Sequence, residues 1–263
     1  MILWGLRVAA GIMCTFMATT MHAQTLAARI AGIPDGPVTF HFAGRSAICG
    51  DGESFVRLGR SFIGRMHGDM YDRPCSGGPV QVRVTRLAGA IERIESWVGP
   101  LRQRDGRDLG RVSAVEAASY LLNVAATARS TASTKAILPA VLADSVVSWP
   151  ALLRIARDSA SRLRGTRQAA MDWLARFAAS AMDGRPNQVS DEADDADDAS
   201  GDAGLKSHAV FVLSQLPRRE GVPALLDVAR QNPDQRTRGR ALFWLGQSGD
   251  PRALDLIEFI LRR

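Results

Sequence analysis

Residues 237–263 read TRGRALFWLGQSGDPRALDLIEFILRR, and this stretch decides the fold. Its apolar residues recur at helical spacing on both sides of the corner SGDP at residues 248–251. Glycine suits the left-handed end of a helix, aspartate suits the N-cap, and proline suits the first helical position. The pattern therefore predicts two short helices joined by a tight corner. Neither helix buries its apolar stripe alone, so the unit needs neighbours of the same kind.

Those neighbours are present in the same chain. The first helical pattern recurs at residues 166–175 and, with less similarity, at residues 205–215. Trp173 in the upstream copy corresponds to Trp244 in the last one. We expect both tryptophans to pack between helices, with a partner-binding surface as the alternative, because exposed aromatic residues mark binding surfaces.

The second helical pattern also recurs, as PALLRIAR at residues 150–157 and PALLDVAR at residues 223–230. Arg167 and Arg238 occupy matching positions of an Arg-x-x-Ala motif near the start of the first-pattern helices. We predict that these arginines pair with acidic groups on adjacent helices.

These helix pairs resemble HEAT repeats, particularly the short bacterial type similar to phycobilin-lyase-like repeats. The motifs that carry the resemblance are Pro-Ala-Leu-Leu, Arg-x-x-Ala-x-x-x-Leu and Gly-Asp-Pro-Arg-Ala. A closer likeness is to uncharacterised secreted bacterial HEAT-repeat proteins, which also carry a Cys-Gly-Asp-Gly segment ahead of the repeats, here residues 49–52. The resemblance covers roughly the second half of the chain and implies a C-terminal α-solenoid. It brings no catalytic residue with it, because a fold does not determine an activity.

The segment ahead of the repeats favours β-strands. Residues 38–42 and 79–86 alternate apolar and polar side chains, and residues 55–58 are a further candidate strand. Ala88 and Gly89 suit a turn that leads into a return strand. We predict a small antiparallel β-sheet here, with the glycines and aspartate of residues 50–52 forming a turn.

The first 23 residues have the features of a secretory signal, with Arg7 followed by a short apolar run and small residues. A retained membrane anchor is the alternative. Export to the periplasm or the medium leaves Cys49 and Cys75 as a pair in an oxidising compartment, so we predict a disulfide between them. A redox or metal-binding pair is disfavoured because the sequence holds no Cys-x-x-Cys motif.

The predicted fold class is mainly α, a HEAT-like α-solenoid preceded by a small disulfide-linked β domain. A capping box at Ser113 begins the helical part. The predicted organisation is a signal peptide at 1–23, a β-rich domain at 24–100, a polar connector at 101–112 and the solenoid at 113–263, with an acidic loop at 190–204.

Composition and motifs limit the possible functions. The net charge of +6 comes mostly from dispersed arginines without clustered aromatic residues, so we expect no nucleic-acid partner. The chain lacks a nucleophile elbow, a phosphate-binding loop, a His-Glu-x-x-His motif and a dinucleotide fingerprint. The acidic run lacks the regular ligand spacing of a calcium loop. We therefore predict no catalytic residue, no cofactor and no metal site.

The function that these patterns favour is a non-enzymatic protein-binding or scaffold protein of the bacterial cell envelope. Its solenoid surface would receive a protein or peptide partner. A membrane contact is expected only if the N-terminal segment is retained. The alternative is a lyase-like or cofactor-handling enzyme, which needs a buried, perturbed acidic or histidine group in a concave pocket. Asp172 and Asp250 are the nearest candidates for that group.

Overall fold

The computed structural model describes residues 24–263 except 47, 59–60, 65–74, 159–163, 183 and 185–201. The predicted signal segment lies outside the described residues, and so does the acidic run as far as Gly201. Within the described residues, no helix combines the length and apolar character that crossing a membrane requires.

The N-terminal part forms two small sheets. Their strands are β1 (Gly36–Phe42), β2 (Ile48–Gly50), β3 (Phe55–Leu58), β4 (Ser61–Gly64), β5 (Val80–Leu87), β6 (Ala90–Val98) and β7 (Arg107–Arg111). One sheet has the strand order β6-β5-β1-β7, with β7 parallel to β1 and the other pairs antiparallel. The other sheet is antiparallel with the order β2-β3-β4.

The predicted small antiparallel sheet is confirmed, including the tight turn between β5 and β6. Ala88 and Gly89 have φ values of 50° and 75°, as the turn type that matches strand twist requires. The predicted connector needs a correction, because residues 107–111 form β7. Their sequence, RDLGR, has no apolar alternation. Their strand conformation comes from pairing with the edge of β1, which a local pattern does not reveal.

The helices begin with α1 (Leu26–Ala31), which was not predicted, and continue with α2 (Ala114–Thr127), α3 (Ala132–Val141), α4 (Trp149–Arg157), α5 (Arg164–Met182), α6 (Asp202–Gln215), α7 (Val222–Gln231), α8 (Gln235–Ser248) and α9 (Pro251–Leu261). The predicted corner is confirmed: Gly249 is left-handed with a φ of 65°, and Asp250 accepts a 2.9 Å bond from the Arg252 amide. Half of the capping box is also present, because Ser113 accepts a 3.2 Å bond from the Glu116 amide. The Glu116 carboxylate binds the Leu26 amide of α1 instead of returning to Ser113.

The four-stranded sheet buries one apolar face against α2 and α3. The side chains on that face include Phe40, whose ring meets the Tyr120 ring of α2 edge-on at 6.3 Å. Past the end of β1, Gly44 forms a β-bridge with Ala143, which follows α3. The sheet and the helices therefore share one hydrophobic core.

The helix α8 runs antiparallel to α5. Gly246 lies against Met171 and Ala175, whereas Gly239, two turns earlier on α8, faces Ala179 further along α5. Contacts further towards the C-terminal end of α8 thus meet residues further towards the N-terminal end of α5, so the two helices are antiparallel.

The same relation holds between α4 and α9. Arg262 near the end of α9 lies 5.9 Å from the ring of Trp149 at the start of α4. At the other end of α4, Arg157 binds Asp255 at 2.9 Å and Glu258 at 2.6 Å. The last helical hairpin is therefore folded back onto α4 and α5.

This arrangement differs from the predicted elongated solenoid, which the structure does not confirm. Successive repeats of a solenoid are related by a small rotation, so their equivalent helices run parallel. Here α5 and α8, which carry the matching patterns around Trp173 and Trp244, are antiparallel neighbours. Small residues at their crossing allow the two backbones to approach closely.

The predicted disulfide between Cys49 and Cys75 is present and joins residues 26 positions apart. It ties β2 to the segment that leads into β5. Gly50 and Ser76, the residues that follow each cysteine, also pair through both backbone amides.

Replacing both cysteines by alanine is expected to lower the free energy of unfolding by about 3 kcal/mol, because the open loop gains chain entropy when unfolded. Urea unfolding of the oxidised protein and the double variant measures this difference. Intact mass should show the oxidised protein two hydrogens lighter than its reduced form. Equal unfolding midpoints would contradict a stabilising bond.

Because α5 and α8 are in close contact, replacing glycine by alanine should have opposite effects on stability at two positions of α8. A Cβ at Gly246 would meet the Ala175 Cβ at 2.9 Å, so Gly246→Ala should destabilise by about 1–2 kcal/mol through overpacking. At Gly239 the nearest atom would lie at 3.8 Å, so Gly239→Ala should stabilise by about 0.5–1 kcal/mol through helix propensity. Thermal or urea unfolding of both variants tests this, and effects of equal sign would refute the close crossing.

Candidate binding groove

The two predicted arginines have structural roles that differ from the expectation. The Arg167 Nε donates to the Ala156 carbonyl of α4 at 3.2 Å. The equivalent Arg238 donates to the carbonyls of Asn232 and Pro233 at 2.8 and 3.1 Å. Acidic partners were predicted, but the last carbonyls of a helix lack intrahelical donors and attract cations. Each arginine thus secures the end of the helix that precedes its own.

The two tryptophans occupy different environments despite their matching sequence positions. Trp244 is half-buried and packs against the rings of Phe211 and Phe243, at centroid distances of 5.3 and 5.1 Å. Trp173 is only 8 % exposed, and its remaining surface borders a groove. Of this pair, Trp173 is therefore the residue placed at a candidate site.

The groove has a volume of about 780 Å³ and lies where both sheets meet the helices. One wall is the edge of β6, another is the start of β3 with the loop before it, and α3 and α5 form the rest. The described lining residues are Glu53, Ser54, Phe55, Val56, Ile94, Glu95, Ser96, Trp97, Thr134, Lys135, Leu138, Ala169 and Trp173. Except for Trp173, sequence reasoning missed this site, because no local pattern shows that these segments converge.

Among the described residues around the groove, Lys135 is a cation without a counterion. Glu53 pairs with Arg102 at 3.0 Å, and Glu95 pairs with Arg83 at 2.7 Å. Lys135 is exposed, and no carboxylate of the described residues lies within salt-bridge distance of its ammonium group. The site therefore has a net attraction for a negatively charged group.

Trp97 is held in place by arginines on the outer face of the sheet. The Arg104 guanidinium lies 3.4 Å from the centre of the Trp97 ring, and that of Arg83 lies at 5.5 Å. Burial and the neighbouring charges of Arg83 and Arg102 lower the pKa of Arg104. Arg104 also donates to the Gln81 side chain at 3.1 Å, which fixes the loop after β6 over the sheet. These contacts fix the position of Trp97 at this end of the groove.

The two acids considered for catalysis have structural roles away from the groove. Asp172 accepts bonds from Gln168 at 3.0 Å and from Gln247 at 2.7 Å, and so joins α5 to α8. Asp250 caps α9, and the hydrogen bond from Arg252 lowers its pKa despite partial burial. Within the described ranges, no group of three or more His, Cys, Asp or Glu residues is arranged to hold a metal ion.

Asp51, in the segment that follows Cys49, organises a turn. Its carboxylate accepts bonds from the amides of Glu53 and Ser54 at 2.8 and 2.9 Å and from the Ser54 hydroxyl at 2.7 Å. Partial burial raises the pKa of Asp51, but these hydrogen bonds outweigh it and hold the pKa at about 2. The turn carries Glu53 and Ser54 to the groove.

Comparison with known proteins gives one family match. A family model described as the PBS lyase HEAT-like repeat matches residues 237–263, which cover most of α8 and all of α9. No curated protein and no solved structure matches the chain. The match supports a HEAT-like repeat protein and falls on the stretch from which that fold was predicted.

The turn predicts a pH-dependent effect of Asp51→Asn. The folded pKa lies below the ordinary value, so the ionised carboxylate stabilises the protein above about pH 4, and this advantage is lost as the pH falls towards 2. The wild type should have the higher urea midpoint at pH 6, and the difference should vanish near pH 2. A difference that stays constant between these pH values would contradict the assignment.

Proposed function

We propose that this chain is a non-enzymatic protein-binding protein of the bacterial cell envelope, and that the groove receives a protein or peptide partner. The observation that carries the proposal is the groove itself. Its walls come from both sheets and from α3 and α5, and several of its lining side chains are apolar or aromatic. Its volume falls within the range typical of ligand sites, roughly 300–1,000 Å³.

The side chains on the walls support a protein partner. Phe55 and Trp173 supply buried aromatic surface and Leu138 is half-buried, while Glu53, Lys135 and Ser54 form an exposed polar rim. An apolar centre with a polar rim is the usual anatomy of a protein interface. Aromatic anchors of this kind contribute much of the binding free energy in such interfaces.

The enzymatic alternative is less well supported by the described groove. A lyase-like or cofactor-handling enzyme needs an acid, a base or a nucleophile beside the bound molecule. The described residues that line the groove include neither histidine nor cysteine, and both of their carboxylates are paired with arginines. The lysine among them, Lys135, lies exposed at the rim.

Export is part of the proposal. The signal-like features of residues 1–23 and the likeness to secreted bacterial HEAT-repeat proteins support it. A disulfide is compatible with an oxidising compartment, where such bonds persist.

Blocking the groove should abolish capture of the partner. Ala169 is half-buried on α5 and lines the groove, so Ala169→Trp fills the cavity without removing a packed side chain. Ala224 is equally half-buried but lies on α7, so Ala224→Trp is the matched control. Crosslinking of the purified proteins to envelope extract, read by quantitative mass spectrometry, measures capture.

We expect at least about a tenfold loss of the crosslinked partner with Ala169→Trp and no change with Ala224→Trp. A filled groove cannot receive the central side chain of a partner, and burial of such central anchors dominates the binding free energy of interfaces. Circular dichroism checks that both variants are folded. Equal capture by both variants would place the partner elsewhere on the molecule.

A further inference from the structure

We infer that the groove binds an extended peptide that adds a strand to the edge of β6, with an acidic side chain directed at Lys135. This inference rests on the proposed function and specifies the conformation and charge of the partner. It follows from the direction of the β6 backbone groups, from the groups that occupy the two ends of this edge, and from Lys135, which has no counterion among the described residues.

The register of β6 shows which backbone groups point into the groove. The Gly99 amide donates to the Pro79 carbonyl on the β5 side, whereas the Val98 carbonyl accepts from Gly52 on the opposite side. Backbone groups of alternate residues in an antiparallel strand point to the same side. The amides and carbonyls of Ile94 and Ser96 therefore point away from β5, as those of Val98 do.

Both ends of this edge are occupied by groups of the chain itself. The Gly52 amide binds the Val98 carbonyl at 2.8 Å, and the Ser130 hydroxyl binds the Ile91 carbonyl at 2.9 Å. Between these points, no group of the described residues bonds to the outward amides and carbonyls of Ile94 and Ser96. Ile94 and Ser96 both line the groove, so their outward amides and carbonyls lie beside its open volume. Backbone groups without protein partners are costly unless water or another chain satisfies them, and an added strand would do so.

The opposite edge of the same sheet is protected differently. The guanidinium of Arg29, on α1, donates to the Leu109 carbonyl of β7 at 3.1 Å. The strand also begins and ends with exposed arginines, Arg107 and Arg111. Charged side chains and covering groups are common means of preventing strand addition. The β6 edge has apolar walls instead, which favours pairing there.

The walls suit the alternating side chains of an added strand. Side chains on one face of the peptide would meet Leu138 and Trp173 on the helices, and those on the other face would lie beside Trp97. Lys135 stands on the helix side and has no counterion among the described residues. An acidic residue next to an apolar one on that face of the peptide therefore fits best.

The test begins with selection from a random linear peptide library displayed on phage, using the whole purified protein as bait. Ala169→Trp serves as the groove-blocked counter-selection. We expect the enriched peptides to carry an acidic residue. They should bind the Lys135→Glu protein at least about tenfold more weakly than the wild type, and replacing the acidic residue of the peptide by lysine should restore binding to this variant. Failure to enrich any peptide over the blocked variant overturns the inference.

Two further measurements test strand addition. An N-methyl scan of the selected peptide should reduce affinity about tenfold at alternate residues only, because every second amide faces β6. Ser96→Pro, which removes an outward amide, should weaken binding about tenfold, whereas the matched Ser96→Ala should not. Affinity is read by fluorescence polarisation after both variants are shown to be folded.

The N-methyl scan decides the question even if Ser96→Pro does not fold, because it alters only the peptide. If N-methylation lowers the affinity at every peptide position, or at positions that do not alternate, the bound peptide is helical or irregular and the inference is overturned. If envelope crosslinking still depends on Ala169 in that case, the proposed function stands and only strand addition is wrong. If neither the peptides nor the crosslinked partner depends on Ala169, both proposals fail.

Discussion

The structure depends on the junction at which Arg45 joins the sheet to the helices. Its guanidinium donates to the Val141 carbonyl at 2.6 Å and to the Val146 carbonyl at 2.7 Å, and it lies 5.7 Å from the ring of Phe177. Burial lowers the pKa of Arg45, opposed by the charge of Asp144. A half-buried cation is tolerated when its donors are satisfied, and here these bonds hold the end of α3 and the segment after it against the end of β1, while the ring contact adds α5. This junction positions the helical wall of the groove relative to the sheet.

The helical part combines a familiar local unit with an unexpected packing. In the first turn of both α5 and α8, an arginine at the matching sequence position donates to carbonyls at the end of the preceding helix rather than to the predicted acidic groups. These helices nevertheless meet antiparallel, because Ala175 and Gly246 allow close approach and the Gln168–Asp172–Gln247 cluster bridges them. The result is a folded-back group of helices rather than a long concave surface. A binding site is therefore expected where the helices meet the sheets, in the groove between α3, α5 and the edge of β6.

The two edges of the larger sheet differ in what covers their backbone groups. Arginines and the α1 segment shield β7, which limits uncontrolled pairing. At β6, the chain occupies the ends of the edge and surrounds its centre with Trp173, Leu138 and Lys135. A strand already paired within a sheet would lose little entropy if a peptide bound along its free edge, as proposed above. The groove thus combines backbone groups held in a sheet with apolar, aromatic and charged side chains.

Local physics explains what the sequence determined by itself. Apolar periodicity, the Gly249–Asp250–Pro251 corner, the Ala88–Gly89 turn and the cysteine pair depend on neighbouring residues or on simple counting. The helices with repeated patterns, the hairpin and the disulfide were therefore predictable, whereas α1 was not. Only the tertiary structure decided the strand at residues 107–111, the antiparallel meeting of α5 with α8, and the groove beside β6. These features depend on which distant segments satisfy each other's backbone groups and fill each other's volume, and such pairing leaves no periodic signal in a single chain.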